Sequence, residues 1–352
     1  MTSRFVFNLL VGLIFSATGL ARAAVSGVHS TPNNSNERLV HDWAEHNFKS
    51  EVFSPAVSEF DRCAMLEQMS PERLMIFFEE IHSLRSKGIE SCRPTLVRKI
   101  TDYLNSKRTA LRATYLTVAR KNLRKCSSRV SPTFGPEIPT YVAIDQARAI
   151  TGTYLPHCQV ALTFDDGPHP VFGPQIVNIL KAQDVHANFF QVGRNMAMYP
   201  TTTIREYKAG NVMGTHTWSH PDLQRMTPEQ GEKQIEAAFD ESMRLLHVYT
   251  PFFRFPYGAA TPTLRAYLAH FSRISFWWNI DTLDWKIKDP EKLYQYALTQ
   301  VDQVQRGIIL MHEIHPQTVI MLPYLLDALR RAGYQPIVFR PGLKPTLQVH
   351  AI

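Results

Sequence analysis

The chain has 352 residues, of which 44% are hydrophobic, 11% aromatic and 20% charged. These are ordinary values for globular proteins, and they exclude disordered, collagenous and coiled-coil chains. The length favours about two domains, because single cores usually stop growing near about 250–300 residues. No long apolar run follows the N-terminal segment, which excludes a polytopic membrane protein.

The N-terminal segment has the three-part pattern of a secretory signal peptide. Arg4 precedes an uncharged stretch over residues 5–20, and Ala21-Arg22-Ala23 places small residues where cleavage requires them. We therefore predict a signal peptide over residues 1–23, export to the periplasm or the outside of the cell, and no stable membrane span after cleavage. A buried strand or a retained anchor is the alternative, for which the segment is short.

The expected mature chain contains four cysteines, Cys63, Cys92, Cys126 and Cys158. An even number in an exported protein predicts two disulfides, and the sequence leaves all three connectivities open. Buried free thiols are the alternative. None of the four lies in a C-x-x-C pair, which disfavours zinc ligation by cysteine.

Changes in composition divide the rest of the chain into four segments. They are a flexible lead-in over residues 24–36, a small all-α module over 37–130, a proline-rich linker over 131–157 and a larger α/β domain over 158–352. In the all-α module, Ser70 followed by Pro71 predicts the start of one helix, and a second is predicted to start near Pro94.

Charge is distributed unevenly within the all-α module. Residues 37–80 hold 4 basic and 10 acidic side chains, whereas residues 85–129 hold 13 basic and 2 acidic ones. The basic stretch predicts a surface that binds an anionic polymer, although neutralisation by the acidic stretch explains the pattern equally well. We expect no nucleic-acid partner.

The α/β domain shows short apolar runs that alternate with helical segments. Seven strands are predicted, over residues 160–164, 187–192, 212–215, 252–255, 274–280, 308–311 and 335–339. A capping box from Thr227 to Gln230 and the pair Asp289-Pro290 predict two of the intervening helices. This rhythm is typical of a barrel-like parallel sheet.

Two clusters at strand ends suggest a metal site. Asp165 and Asp166 follow an apolar run, and adjacent carboxylates repel each other unless they share a cation or a proton. His216 and His220 are four residues apart, close enough on a helical turn to bind one ion, and with a carboxylate they form a ligand set that zinc accepts. The residues alone do not say which aspartate binds metal. An acidic turn and two incidental histidines are the alternative.

Three further polar residues follow later strands. Arg254 ends an apolar run and could be a fixed cation beside a carboxylate. Asp284 follows an aromatic run, and His312 follows another strand; a carboxylate near a histidine orients it for proton transfer. Taken singly, each would more often be structural.

Together these clusters resemble the five motifs of the polysaccharide deacetylases, which are also called NodB-homology domains or carbohydrate esterase family 4. The motifs occur in order as residues 163–168 (TFDDGP), 216–220 (HTWSH), 254–258 (RFPYG), 281–285 (DTLDW) and 310–312 (LMH). The resemblance implies a distorted (β/α) barrel of about seven strands, preceded here by the small all-α module. It also implies bound zinc, or another divalent transition metal such as cobalt or nickel.

The resemblance assigns a role to each site residue. It implies metal ligation by Asp166, His216 and His220, and general-base catalysis by Asp165. The remaining implied roles are orientation of Asp165 by Arg254, an oxyanion contact from the backbone N–H of Tyr257, general-acid catalysis by His312, orientation of His312 by Asp284, and an acetyl pocket formed by Trp285 and Leu310.

The expected function is that of a metal-dependent hydrolase that removes N-acetyl groups from a glycan containing N-acetylglucosamine. Peptidoglycan is the first expected substrate, because an exported enzyme with a cationic module would meet an anionic cell-wall polymer. Chitin or chitooligosaccharides come second, and O-acetyl xylan is a third option. An inactive glycan-binding or structural protein is the alternative of a different class.

Overall fold

A computed structural model describes residues 57–75, 89–126, 141–144 and 149–342. The predicted signal peptide and lead-in lie outside these residues, as does much of the all-α module. The chain forms two compact units, residues 1–65 and 66–352. The described part of the first unit is the beginning of helix α1 (Glu59–Gln68), where Ser58 Oγ accepts the N–H of Asp61 at 3.1 Å. The predicted domain boundaries stay a prediction.

The second unit alternates strands with helices. Its helices are α2 (Arg93–Asn122), α3 (Phe172–Ala182), α4 (Gly193–Met198), α5 (Pro200–Lys208), α6 (Pro228–Leu246), α7 (Pro262–His270), α8 (Pro290–Val304) and α9 (Pro316–Ala332). Its strands are β1 (Tyr141–Ile144), β2 (Ala149–Ile150), β3 (Gln159–Asp165), β4 (Asn188–Gln191), β5 (Val212–Thr215), β6 (Phe252–Phe253), β7 (Ile274–Phe276), β8 (Ile280–Asp281), β9 (Gly307–His312) and β10 (Gln335–Pro341). Among the helices of the described ranges, none is long and apolar enough to cross a bilayer.

The strands form one curled parallel sheet, as expected for a distorted (β/α) barrel. Its order is β8-β9-β3-β4-β5-β6-β7-β2, with β10 beside the first half of β3 and β1 beside β10. Two differences from the prediction appear. The run over residues 274–280 is divided into β7 and β8, and the stretch predicted as a linker contributes β1 and β2.

Aromatic side chains fill the inside of this sheet. Phe276 contacts the rings of Phe190, Phe252 and Phe339 at centroid distances of 5.3, 4.7 and 5.3 Å. All four are fully or almost fully buried. Burying a phenylalanine contributes about 1.5–3 kcal/mol, so this cluster is a major source of stability for the sheet.

Two helix starts follow the predicted capping chemistry. Thr227 and Gln230 form a reciprocal capping box at the start of α6, and Asp289 accepts the N–H groups of Glu291 and Lys292 at the start of α8. Side-chain acceptors of this kind satisfy N–H groups that have no partner within the helix. These caps fix where the helices leave the loops that follow β5 and β8.

Helix α2 packs against α8 and α9. The ring of Tyr115 lies 4.7 Å from that of Tyr294 and 4.2 Å from that of Tyr324. A disulfide joins Cys126, just after α2, to Cys158, just before β3, with an S–S distance of 1.98 Å. Cys63 and Cys92 are also disulfide-bonded, so the expectation of disulfides rather than free thiols is confirmed.

Candidate active site

The candidate site lies at the carboxyl ends of neighbouring parallel strands. Strand β3 ends at Asp165 and β9 ends at His312, and these two residues are register partners. Strand β5 ends immediately before His216. Because parallel strands end at the same edge of a sheet, side chains that are distant in sequence meet there.

The two adjacent aspartates face different partners. Asp165 is almost fully buried, and its Oδ1 accepts a hydrogen bond from Arg254 Nη1 at 2.6 Å. Asp166 has a left-handed backbone with φ of 69°, and Asn195 Nδ2 donates to its carbonyl at 2.9 Å. This turn directs Asp166 Oδ1 towards two histidines, 3.5 Å from His216 Nε2 and 3.1 Å from His220 Nε2.

The two histidines lie on a loop rather than on the helical turn that their spacing predicted, so that detail of the prediction was wrong. Thr217 and His220 have left-handed φ values of 65° and 60°. The N–H of His220 donates to Thr217 Oγ1 at 3.0 Å. This tight loop, instead of helical periodicity, brings His216 and His220 to within 4.8 Å, ring centroid to ring centroid.

Asp166, His216 and His220 fit a divalent cation. One ligand atom from each lies within 4.8 Å of the others. His216 Nδ1 is 2.7 Å from the Arg254 carbonyl, which only accepts, so Nδ1 carries the hydrogen and Nε2 presents a lone pair. Burial and the neighbouring His220 lower the pKa of His216 to about 3, which keeps its ring neutral. Two imidazole nitrogens and a carboxylate oxygen that converge in this way are a ligand set that can hold a divalent cation.

Arg254 is fully buried and contacts two aromatic rings. Its Cζ lies 4.2 Å from the ring centroid of Phe190 and 5.6 Å from that of Trp278. Nη1 donates to both Asp165 and Thr163 Oγ1, the latter at 2.9 Å. The rings provide cation–π stabilisation at a position where burial alone would disfavour the charge.

Asp284 and His312 form the second buried pair. His312 Nδ1 is 2.6 Å from Asp284 Oδ1, and the His312 backbone N–H donates to Oδ2 at 2.7 Å. Thr318 Oγ1 donates to the same Oδ2 at 2.6 Å, and Gln317 Nε2 donates to the Asp284 carbonyl at 2.6 Å. The Asp284 carboxylate therefore accepts three hydrogen bonds, two of them from His312, and these fix the orientation of the imidazole.

Burial and charge set the protonation states of the two groups that end β3 and β9. Burial raises the pKa of Asp165 to about 6, although the Arg254 cation opposes the shift. Burial alone would lower the pKa of His312, but the Asp284 carboxylate outweighs it and raises that pKa to about 10. Near pH 8 the site thus holds an ionised aspartate beside a protonated histidine.

The remaining predicted residues differ in exposure. Tyr257 is 69% exposed, lies in the turn after β6 with φ of 58°, and its ring contacts that of His220 edge-on at 4.7 Å. Trp285 is 50% exposed, and Leu310 is buried in β9 two residues before His312. The contacts of the described residues link Tyr257 to the cluster of Asp166, His216 and His220, which we call the metal-type cluster. They do not link Trp285 to Leu310.

Sequence reasoning gave no role to the residues that support this site. Thr163 and Thr318 contact the side chains of Arg254 and Asp284, Gln317 donates to the Asp284 carbonyl, and Phe190 and Trp278 contact Arg254. Thr163 stands two residues before Asp165 on the same face of β3, which is a usable signal. The others contact the motifs only through the fold.

Comparison with known proteins agrees with this geometry. A family model described as polysaccharide deacetylase matches residues 155–272. Chitooligosaccharide deacetylase of Azorhizobium caulinodans is 32% identical over 194 residues, which cover 50% of this chain and 90% of that protein. Chitin deacetylase of Colletotrichum lindemuthianum is 32% identical over 191 residues, 51% of this chain and 76% of that protein. The chain belongs to the polysaccharide deacetylase family.

One further relative and one solved structure match the chain over very different shares of their length. Peptidoglycan-N-acetylmuramic acid deacetylase PdaC of Bacillus subtilis is 33% identical over 176 residues, 50% of this chain and 37% of that protein. The structure of Bdellovibrio bacteriovorus peptidoglycan deacetylase Bd3279 aligns over 92% of both chains with a TM-score of 0.62 and 22% identity. At that identity the alignment shows a common fold.

Proposed function

We propose that the protein is a metal-dependent hydrolase that removes N-acetyl groups from N-acetylglucosamine-containing glycans, with peptidoglycan as its substrate. One observation supports the proposal most directly. The carboxyl edge of the sheet brings together the Asp166-His216-His220 cluster, an ionised Asp165 and a protonated His312. A glycan-binding protein has no need for a base and an acid whose pKa values are shifted to opposite sides of neutrality.

In the proposed reaction Asp166, His216 and His220 hold the cation. A bound divalent cation of the zinc type would polarise the amide carbonyl and activate water. Asp165, which Arg254 holds in place, takes a proton from the attacking water while the water oxygen bonds to the carbonyl carbon of the acetyl group.

His312 completes the reaction. The C–N bond breaks, and His312 Nε2 gives its proton to the amine, because Asp284 holds Nδ1 on the opposite side of the ring. The products are acetate and a free amino sugar. We assign the backbone N–H of Tyr257 to the oxyanion, and Trp285 with Leu310 to the acetyl methyl group.

Peptidoglycan and chitooligosaccharides are the two glycans to compare. Peptidoglycan deacetylases and chitin-type deacetylases both occur among the relatives, and the chain covers most of the A. caulinodans chitooligosaccharide deacetylase. The predicted signal peptide and the disulfides support export to a compartment where a cell-wall polymer is accessible.

A contact with an anionic wall polymer is part of the proposal. Three basic side chains of α2 are exposed, Arg98, Lys107 and Arg112, and we call them the basic residues of α2. They would attract an anionic polymer over about the Debye length, roughly 10 Å at 0.1 M salt.

The experiment measures acetate released from peptidoglycan and from chitin oligomers, with product masses determined side by side. We expect a chelator to stop release and added zinc to restore it. His216→Ala should lose both the metal and the activity, whereas His270→Ala, a control at an exposed histidine that ends α7, should keep both. Full activity in chelated protein, or normal metal content and turnover in His216→Ala, would contradict the proposal.

A further inference from the structure

Two fully buried glutamates lie next to the candidate active site and have no role in the reaction above. Glu313 follows His312 directly, and Glu206 lies in α5. Neither belongs to the motif residues. A buried carboxyl group is costly unless it is paired or neutral, so two in one place need an explanation.

Glu313 is bonded to both ends of the loop that carries the adjacent aspartates. Its backbone N–H donates to the Asp165 carbonyl at 2.9 Å. Its Oε1 accepts the backbone N–H of His169 at 2.6 Å. Glu313 therefore spans residues 165–169 with its backbone N–H and its carboxylate, and Asp166 in this loop is the predicted metal ligand.

Glu206 is connected to the other side of the metal-type cluster through Gln191. Gln191 Nε2 donates to Glu206 Oε2, and the Gln191 carbonyl accepts the backbone N–H of His216 at 2.8 Å. The two glutamates thus reach, through one residue each, the loops that position Asp166 and His216.

The two carboxyl groups face each other in a space that glycines leave open. A Cβ atom at Gly173 would stand 2.2 Å from Glu313 Oε1 and 2.4 Å from Glu206 Oε1. A Cβ atom at Gly167 would stand 1.7 Å from Glu313 Oε2. Any side chain at either position would displace the pair.

A proton is the missing partner of this pair. Among the described residues, no donor reaches Glu206 Oε1 or Glu313 Oε2. Two adjacent carboxylates cannot both be ionised in a water-free interior, and a proton on one gives the other its hydrogen bond. Burial and the neighbouring Glu313 raise the pKa of Glu206, while burial raises that of Glu313 to about 7.

We infer that Glu206 and Glu313 share one proton, with Glu206 as the donor, and that this pair positions Asp165 and Asp166 against His312. The catalytic part of this inference rests on the proposed function. Both glutamates are positioning residues, because neither touches the reacting atoms. From the buried side of the site, the pair would fix the distance between the base at the end of β3 and the acid at the end of β9.

The test compares Glu206→Gln with Glu206→Leu in the full chain. Glutamine keeps a neutral donor towards Glu313 and an acceptor towards Gln191, whereas leucine fills the space and leaves Glu313 a buried carboxylate without its donor. We expect Glu206→Leu to lower kcat about tenfold to a hundredfold, the range for losing a hydrogen bond to a charged group, with KM unchanged. Glu206→Gln should recover most of kcat. Glu241→Leu, which removes a buried carboxylate paired with Arg244, is the matched control.

Infrared spectroscopy reads the proton without any turnover. At pH 8 Asp165, with a pKa of about 6, is ionised, so a protonated-carboxyl band in the wild type that disappears in Glu206→Gln would identify the shared proton. Absence of that band, or wild-type kcat in a folded Glu206→Leu, would overturn the inference. If leucine prevents folding, the infrared comparison with Glu206→Gln decides. A wild type that releases no acetate would refute the proposed function instead, while the infrared result would still judge the pair.

Discussion

Replacing Asp284 with asparagine removes one charge from the acid side of the site and almost no volume. In the native protein Asp284 Oδ1 faces His312 Nδ1 at 2.6 Å, and Oδ2 accepts from the His312 N–H and from Thr318. An amide oxygen could still accept from His312 Nδ1. Its NH₂ group would then face the backbone N–H of His312 and Thr318 Oγ1, so the variant loses the carboxylate and the acceptor of both hydrogen bonds.

The size of the effect follows from the pKa of His312, which burial lowers and Asp284 raises to about 10. At pH 8 a pKa of about 10 keeps ~99% of the imidazole protonated, whereas the ordinary value of about 6.5 leaves about 3%. Loss of the protonated acid alone should therefore lower kcat/KM about 30-fold at pH 8. Activity that needs a protonated acid is lost as the pH rises through the pKa of that acid. The alkaline limb of the pH profile should therefore shift to lower pH in the variant.

The assay is kcat/KM for acetate release from a chitin oligomer across pH, in wild type and Asp284→Asn. Asp302→Asn, which removes a distant carboxylate paired with Arg124, is the control and should leave the profile unchanged. In a His312→Ala background the Asp284 substitution should cost nothing further, since the two residues act as one unit. An alkaline limb that stays in place in Asp284→Asn would refute the reasoning.

Three further predictions concern the base, the disulfide and the basic residues of α2. Asp165→Asn should keep a full metal content yet lose about 10²- to 10⁴-fold in kcat, measured on one preparation. Replacing Cys126 and Cys158 together with serine should lower the free energy of unfolding by about 2–4 kcal/mol in urea titrations, because the unfolded chain gains freedom. Changing the basic residues of α2 to glutamine should weaken cosedimentation with peptidoglycan sacculi, and salt should weaken wild-type binding. Unchanged turnover, an unchanged urea midpoint and salt-independent binding, respectively, would contradict these expectations.

The parallel sheet was predictable because its central strands are buried on both faces. β3 and β9 are continuous apolar runs, and period and length identify them without any tertiary information. The two-residue strand β2 has no such signal, and it exists only because it pairs with β7. The aromatic run over residues 274–280 was predicted as one strand because its apolar composition continues through Trp277 and Trp278. The chain leaves the sheet at these two residues, so the run forms two strands.

The motif residues were predictable as a group, but their geometry was not. Strand ends of a parallel sheet meet at one edge, so Asp165 and His312 could be expected near each other. The left-handed turns at Asp166 and His220, which aim their side chains, depend on local loops that spacing does not encode. Glu206 lies on helix α5, outside the five motifs, and no local pattern relates it to Glu313.

The packing of α2 sets where a shortened protein can begin. Tyr115 fits against Tyr294 and Tyr324, and Cys126 is bonded to Cys158 while its N–H donates to the Ala332 carbonyl at 2.6 Å. A recombinant fragment that starts just before β3 would expose the aromatic surface of α8 and α9 that α2 covers. It would also leave Cys158 as an unpaired thiol that can cross-link two copies. A clone that starts ahead of α2 keeps both protected, which makes the helix an integral part of any recombinant catalytic fragment.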